Sequence, residues 1–395
     1  MNVLDLARRL VAIESVSSLS NEPIAELLSQ FCEDAGCTIS RFPYNAGQQR
    51  QINIVASKGG SEPYFALSGH TDTVGYSANK WSQKPLELTR AKKKGGYVYF
   101  GLGIADMKLA LATSIVAVAS VSTRELKKPV GLYLTAQEEV GCIGAKRLVS
   151  SKAPIAPYVI VCEPTEMAVA DRHKGYIYFS ISVSRNHDKH DQSARMWAHS
   201  SDDRKNTNII EVILPLVLRE LTAIKDHLRT IADPLFDPSY TTINVGVVGQ
   251  PIGATKNVIP AAFTLHCDAR PIPSMDHDML LRLIEKRVAD TVNSYRSPFL
   301  GETFTTEVKR QRKTTPFFQL EDIDPSFHSA LGSPRMGYVP YNTEARIFAD
   351  AGSQVVIMGP GSIWDAHHED ECVSERWVQP DVTERYISAI RAMCG

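Results

Sequence analysis

The sequence predicts an α/β protein, a mainly parallel sheet flanked by helices and interrupted by an inserted α+β domain. Two patterns carry that expectation. Up to about residue 170, short apolar runs rich in Val, Ile, Leu and Tyr alternate with segments of helical periodicity, as in parallel strands joined by crossover helices. After Arg172 the pattern becomes β-α-β-β-α over about 120 residues, a domain-sized block. Strand and loop signals of the first kind then return. The expected boundaries are 1–174 and 298–395 for the two parts of the larger domain, and 175–297 for the insert.

Element by element, Val3, Leu6, Ala7, Leu10 and Val11 fall on one helical face. A second helix starts at Asn21 and Pro23 and stops at Gly36, with Ile24, Leu27, Leu28, Phe31 and Cys32 as its buried stripe. Strands are expected at 51–57, 64–69, 97–100, 130–136 and 158–162. A helix continues from Lys108 through Leu109, Ala110, Ala112, Ile115, Val116 and Ala119. In the insert, strands are expected at 176–184, 241–249 and 262–270, and helices at 206–225 and 276–294. The polar run Arg185–Ser193, with His187 and His190, stands where a strand pair should turn, and reads as a solvated loop. A strand near 354–359 and a helix from about Gln379 close the chain.

Of the 395 residues 43% are hydrophobic and 22% charged, and the net charge is −1. That is the composition of a globular protein with room for two domains, and its balance argues against nucleic acid or an acidic membrane as partner. The odd total of seven cysteines contains no Cys-x-x-Cys pair, a pattern of reduced thiols rather than of disulfides or a thiolate zinc site. Residues 1–10 lack the basic start and apolar run of a signal peptide. The most apolar stretch, near 109–120, is too short to span a bilayer. A cytoplasmic address is the expectation.

Chemistry concentrates at strand ends. His70 and Asp72 close one strand, Glu138 and Glu139 follow another, and Glu163 follows a third; in such sheets ligands gather at the carboxyl ends of strands. Asp106 sits in Gly101–Lys108, where Gly101 and Gly103 permit a sharp turn. Each residue has a plainer reading. Asp106 could cap its helix, Glu163 could belong to a turn before Pro164, and His367 and His368 are indistinguishable by composition. Together they are hard oxygen and imidazole donors in the mixture that two divalent cations take, with one carboxylate to spare as a base. Adjacent carboxylates suit this, since neighbouring residues point in different directions.

The segments Ser68–Val74, Gly101–Lys108, Thr135–Gly141, Cys162–Thr165 and Arg172–Gly175 resemble those of the M20 family of dinuclear metallo-aminoacylases. Asn257–Pro260, Asp268–Pro273, Asn342–Ala345 and Gly359–Ile363, followed by Ala366-His367 and Asp370-Glu371, extend the resemblance over nearly the whole chain. It implies that Asp106 bridges two metal ions, Zn2+ or Co2+ with Mn2+ as an alternative. His70 and Glu163 would complete one ion, and Glu139 and His367 the other. Glu138 is then the general base, and Asp72 orients the His70 ring. His367 is preferred to His368 because only it precedes the Asp-Glu pair by three and four residues, as in the family's motif. The insert resembles the family's lid and dimerisation domain. Within it His199 matches an oxyanion donor reaching across a homodimer, with Asn208 nine residues on, and Asn257 and Arg270 match residues that hold the substrate α-carboxylate. Thr343 and Glu344 complete the implied substrate contacts, Glu344 meeting a distal ammonium.

The lid departs from the pattern. Arg195–Ala198 replaces small residues before His199, Arg204–Thr207 lacks a glycine, and Arg185–Ala194 looks inserted by about ten residues. These changes bear on the substrate more than on the reaction. The implied activity is deacylation of a small N-acyl amino acid, N-acetyl-L-ornithine first, in arginine biosynthesis. N-acetylcitrulline, acetyl-lysine, succinyl-diaminopimelate, a dipeptide, or a non-catalytic binding role are the alternatives.

Overall fold

A computed structural model describes residues 2–186, 199–201, 204, 206–249, 256–299, 301–311 and 316–395. The chain divides into two compact units. One comprises Met1–His173, Phe318–Val339 and Thr343–Gly395; the other comprises Lys174–Phe317 and Pro340–Asn342. Strands β1 (Thr38–Ala46), β2 (Gln49–Lys58), β3 (Phe65–His70), β4 (Thr89–Lys93), β5 (Gly96–Phe100), β6 (Val130–Thr135), β7 (Tyr158–Val161) and β8 (Ala170–His173) lie in the first unit. The second unit holds β9 (Ile177–Asn186), β10 (Thr242–Gly249), β11 (Ala262–Arg270) and β12 (Thr303–Arg310). The chain returns to the first with β13 (Phe318–Gln319), β14 (Gly337–Val339), β15 (Gln354–Ile357) and β16 (Cys372–Ser374).

The large sheet has the order β1-β2-β6-β3-β7-β15-β8-β13, with β14 beside β8. Its centre, β6-β3-β7-β15, is parallel, and antiparallel strands close both edges. The central strands are almost wholly buried on both faces, which is why they read as unbroken apolar runs. Against them lies the helix Leu109–Ser120, buried from Leu109 to Val118, so its apolar residues go all the way round. The helix Val3–Val11 buries Leu6, Ala7, Leu10 and Val11, and the Asn2 side chain accepts the Leu4 and Asp5 N–H groups at its start. The helix Glu22–Asp34 carries Pro23 in its first turn and ends before Gly36, whose φ is +83°.

The expected strand at 97–100 belongs elsewhere. It is β5, in a separate three-stranded sheet of order β16-β5-β4. That pairing draws residues near 371 alongside Gly101: Gly101 N–H donates to the Glu371 carbonyl at 3.1 Å.

The second unit is an antiparallel sheet of order β10-β11-β9-β12. Its strand β11 alternates buried with half-buried residues along its whole length. The helices Ile209–Arg229 and His277–Ser294 bury Ile213, Val217, Leu221, Ile284 and Val288 in one core with Phe179, Ile181, Phe263 and Leu265. This is the α+β insert expected after Arg172, but the compact unit runs to Phe317 rather than to 297, because β12 pairs along β9 from Asn186 to Phe179. His187, His190 and Arg195–Ala198 lie outside the described residues.

Candidate metal centre

Three neighbouring parallel strands deliver the first donors. His70 is the last residue of β3, Glu138 and Glu139 follow β6, and Glu163 follows β7. His70 pairs in register with Thr135, and Ser68 with Val161. Parallel strands put their carboxyl ends on one side, so these side chains emerge together.

Asp106 comes from the turn between β5 and the buried helix. Gly103 takes φ +73°, and a Cβ there would lie 2.4 Å from Thr73 Cγ2, so only glycine fits. Glu371 holds the turn from the opposite side. Its carboxylate accepts the N–H groups of Gly103 (2.8 Å), Ala105 (2.8 Å) and Asp106 (3.2 Å). Burial pushes the Glu371 carboxyl up to about 7, with those three N–H groups opposing the shift.

The donor atoms converge. His70 Nε2 lies 2.8 Å from Asp106 Oδ1, and His367 Nε2 lies 3.0 Å from Asp106 Oδ2 and 3.0 Å from Glu139 Oε1. Ligand atoms of His70, Asp106 and Glu139 fall within 4.8 Å of one another. Glu163 is 3% exposed. Burial and the Asp106 charge push its carboxyl well above the usual range. Glu139 is likewise raised, by burial and by Asp106. Burial favours a lower pKa for His70, but the Asp106 carboxylate outweighs it and holds the ring well above the ordinary histidine range. Hydrogen bonds to Asp106 and Glu139 raise His367 to about 11. Buried carboxylates crowded against one another need positive charge. The donors fit divalent cations, since two imidazole nitrogens and two carboxylates lie within about 3 Å of a neighbour in the group and the Glu163 carboxylate feels the charges of Asp106 and His70.

Glu138 is the carboxylate left over. Burial pushes it up to about 8, with Glu139 and Glu344 adding to the shift and His70 opposing it. Its backbone N–H donates to Asp72 Oδ1 at 3.0 Å, and that of Glu139 donates to Asp72 Oδ2 at 3.3 Å. The Ser17 hydroxyl donates to the same Oδ2 at 2.6 Å. Asp72 touches more than the His70 ring. The His70 ring is held by the Asp72 backbone carbonyl, 2.9 Å from Nδ1, while the carboxylate stands 3.7 Å away. The carboxylate also clamps the Glu138–Glu139 backbone.

Thr343 and Glu344 are 0% and 1% exposed. The Thr343 hydroxyl accepts the Ala345 N–H at 3.1 Å. Glu344 Oε2 lies 3.4 Å from the Ser68 hydroxyl, its Oε1 has no hydrogen-bond partner, and burial raises its carboxyl to about 7.

The other expected residues belong to the second unit. His199 Nδ1 accepts the Ser201 N–H at 3.1 Å, which places the proton of a neutral ring on Nε2, and Nε2 lies 3.4 Å from the Asn257 side-chain amide. Arg270 lies over the Tyr176 ring at 4.5 Å, with Nε 3.8 Å from Asp268. Asn208 caps the helix Ile209–Arg229 by accepting the Ile210 and Glu211 N–H groups. Glu371 and Cys142, whose thiol donates to Glu138 Oε1 at 3.1 Å, were not singled out from the sequence. Glu371 was visible there only as part of the Asp370-Glu371 pair.

A histidine-carboxylate cluster at the carboxyl ends of parallel strands, with a spare carboxylate beside it, is the kind of arrangement that can hold metal ions and activate water for hydrolysis. The chain belongs to peptidase family M20/M25/M40, whose family model matches residues 66–390, and is a hydrolase of amide or peptide bonds. It is similar to the acetylornithine deacetylase of Proteus mirabilis, 30% identical over 384 residues that cover 95% of this chain and 93% of the relative. It is also similar to that of Aliivibrio fischeri, at 27% over 387 residues, with 96% and 95% covered. Among solved structures, a tripeptidase from Staphylococcus aureus shares the fold with a TM-score of 0.69 at 18% identity, covering 100% of this chain and 97% of that one.

Proposed function

We propose that this chain is a metal-dependent deacylase that removes the acetyl group from N-acetyl-L-ornithine, releasing ornithine and acetate for arginine biosynthesis in the cytoplasm. One observation carries the reading. Five donors, His70, Asp106, Glu139, Glu163 and His367, are engaged with one another or in the same field of charge, and Glu138 beside them is free to move a proton. The full-length likeness to acetylornithine deacetylases supports the substrate.

Asp106 would lie between two divalent ions (zinc, cobalt or manganese by donor chemistry), with His70 and Glu163 on one and Glu139 and His367 on the other. Bound there, the ions supply Lewis-acid polarisation of the amide carbonyl and make water more acidic. Glu138 takes the proton from the attacking water and passes it to the leaving amine nitrogen; a carboxyl lifted toward the working pH does both well. His199, once its ring nitrogen is released from Asn257, stabilises the tetrahedral oxyanion by N–H donation, an effect worth about 3–4 kcal/mol for a donor of this kind. Asn257 and Arg270 hold the α-carboxylate, Arg270 by its paired N–H groups. Thr343 shapes the turn that carries Glu344, and Glu344 offers its unpartnered oxygen to the ornithine ammonium.

We also propose a homodimer joined through the second unit. Strand β10 is one of the two edges of that sheet among the described residues, and Val247 and Val248 on it are 57% and 54% exposed; such an edge invites pairing. No helix among the described residues is long and apolar enough to cross a membrane.

The test is hydrolysis by the metal-reconstituted protein of N-acetylornithine, N-acetylcitrulline, N-acetyl-lysine, succinyl-diaminopimelate and a dipeptide. Turnover of N-acetylornithine, lost with EDTA and in Glu138→Gln, is the expected result. Preference for another compound would overturn the substrate, and turnover unaffected by EDTA would overturn the chemistry. Glu344→Gln is expected to lower the preference for cationic over neutral side chains; an unchanged preference removes Glu344 from the substrate contacts.

A further inference from the structure

Resting on the reading of Glu138 as general base, we infer that Cys142 is a positioning residue that holds the Glu138 carboxylate by a thiol hydrogen bond. The two are four residues apart on the loop after β6. The Cys142 Sγ–H donates to Glu138 Oε1 at 3.1 Å, and the Cys142 N–H donates to the Glu138 carbonyl at 2.8 Å. Cys142 takes a left-handed backbone, φ +54° and ψ +41°, at the start of the helix Ile143–Ser150. It is 0% exposed.

Two anchors therefore act on one residue from different elements. Asp72, at the end of β3, fixes the Glu138 backbone N–H. That anchor leaves the side-chain torsions of Glu138 free, and a glutamate has three of them. The Cys142 thiol engages one carboxylate oxygen and so restricts those torsions, leaving the other oxygen for the reacting proton. A base placed within hydrogen-bond reach before substrate arrives loses less on the way to the transition state.

The thiol is suited to donate rather than to react. Burial pushes Cys142 well above the usual thiol range, and the Glu138 charge adds to the shift. A buried thiol without a thiolate fraction is a poor nucleophile, so its chemistry here is the S–H donor. Burial also separates it from the exposed cysteines that serve as redox sensors.

The experiment uses the full metal-loaded chain as Cys142→Ala, Cys142→Ser and Glu138→Gln variants. Cys142→Ala is expected to lower kcat about 5- to 20-fold, at and below the low end of what a hydrogen bond to a charged group contributes because S–H is a weak donor. KM and bound metal should stay at wild-type values, and Cys142→Ser should recover most of kcat because a hydroxyl can donate to the same oxygen. Vibrational difference spectra supply a readout independent of activity. The S–H stretching band that Cys142→Ala deletes should move when Glu138 becomes Gln, a weaker acceptor. Wild-type kcat in Cys142→Ala, or an S–H band indifferent to Glu138→Gln, overturns the inference. Should Cys142→Ala not fold, the Ser variant and the band shift in Glu138→Gln still decide it. Full activity in Glu138→Gln would sink the general-base reading instead, and the band alone would then report whether the contact exists.

Discussion

Replacing Asp72 with Asn separates two roles that this aspartate could play. Its carboxylate accepts the N–H groups of Glu138 at 3.0 Å and Glu139 at 3.3 Å and the Ser17 hydroxyl at 2.6 Å. Asparagine keeps one acceptor oxygen and turns the other into an N–H2 group. If that group faces Ser17 and Glu139, the hydroxyl can rotate to accept, but the Glu139 N–H meets another donor. The surviving bond to Glu138 also loses its ionic partner. A bond to a charged group contributes about 1.5–3 kcal/mol and a neutral one about 1, so the change costs roughly 2–3 kcal/mol. Felt entirely in the alignment of Glu138, that is a fall in kcat of about 30- to 150-fold. The His70 ring is held by the Asp72 backbone carbonyl at 2.9 Å, which the substitution leaves in place. Metal affinity should therefore change by less than the roughly 10- to 100-fold typical when a ligand histidine loses its partner. The assay is kcat and KM for N-acetylornithine at saturating metal, beside metal retention against graded chelator. A variant that binds metal more than tenfold more weakly yet turns over normally when loaded would refute the clamp and favour the ring-orienting role.

Gly103→Ala should lower the denaturation midpoint, since φ +73° alone costs an L-residue about 1–2 kcal/mol and its Cβ would meet Thr73 Cγ2 at 2.4 Å; an unchanged midpoint in urea would show that the turn can relax. Glu371→Gln should cost about 2–4 kcal/mol and weaken metal retention, because one of three backbone N–H groups on the Asp106 turn loses its acceptor and the others lose ionic assistance; equal urea midpoints and equal metal content would contradict it. His277, in the second unit, is depressed to about 4, by burial first and then by Arg310. The unfolded chain, titrating near 6.5, therefore binds the extra proton first, and the stability from a neutral His277 is present above about 6.5 and lost as pH falls toward 4. The loss is on the order of 1–3 kcal/mol after allowing for partial exposure. His277→Gln should flatten that part of the stability-pH curve, and an identical slope in the variant would rule the residue out.

What could be read from the sequence follows from the range over which each feature is determined. The strands β3, β6, β7 and β15 are apolar along their length because both faces are covered, and that signal is local. Strand β12 reads Thr-Phe-Thr-Thr-Glu-Val-Lys-Arg and buries none of its residues fully; strand β1 contains Pro43 and is equally open. Each takes its place from the partner it pairs with, so a window of sequence shows little, and the second unit was expected to stop short of Phe317.

The site divides in the same way. His70, Glu138, Glu139 and Glu163 stand at positions that the strand pattern alone brings to one side of the sheet. His367 and His368 differ only through contacts with distant residues. His367 Nε2 reaches Asp106 and Glu139, whereas His368 Nδ1 turns to its neighbour's carbonyl, the Glu369 oxygen at 2.7 Å. Glu371 supports Asp106 across a separation of 265 residues, made possible by β16 pairing with β5. Cys142 lies only four residues from Glu138, yet its contact depends on a left-handed backbone at a residue type with no preference for it. Donor residues thus announce themselves by type and strand position. Residues that hold those donors in place do so through main-chain geometry and long-range pairing, and it is these supports, Asp72 included, that the coordinates add to the sequence.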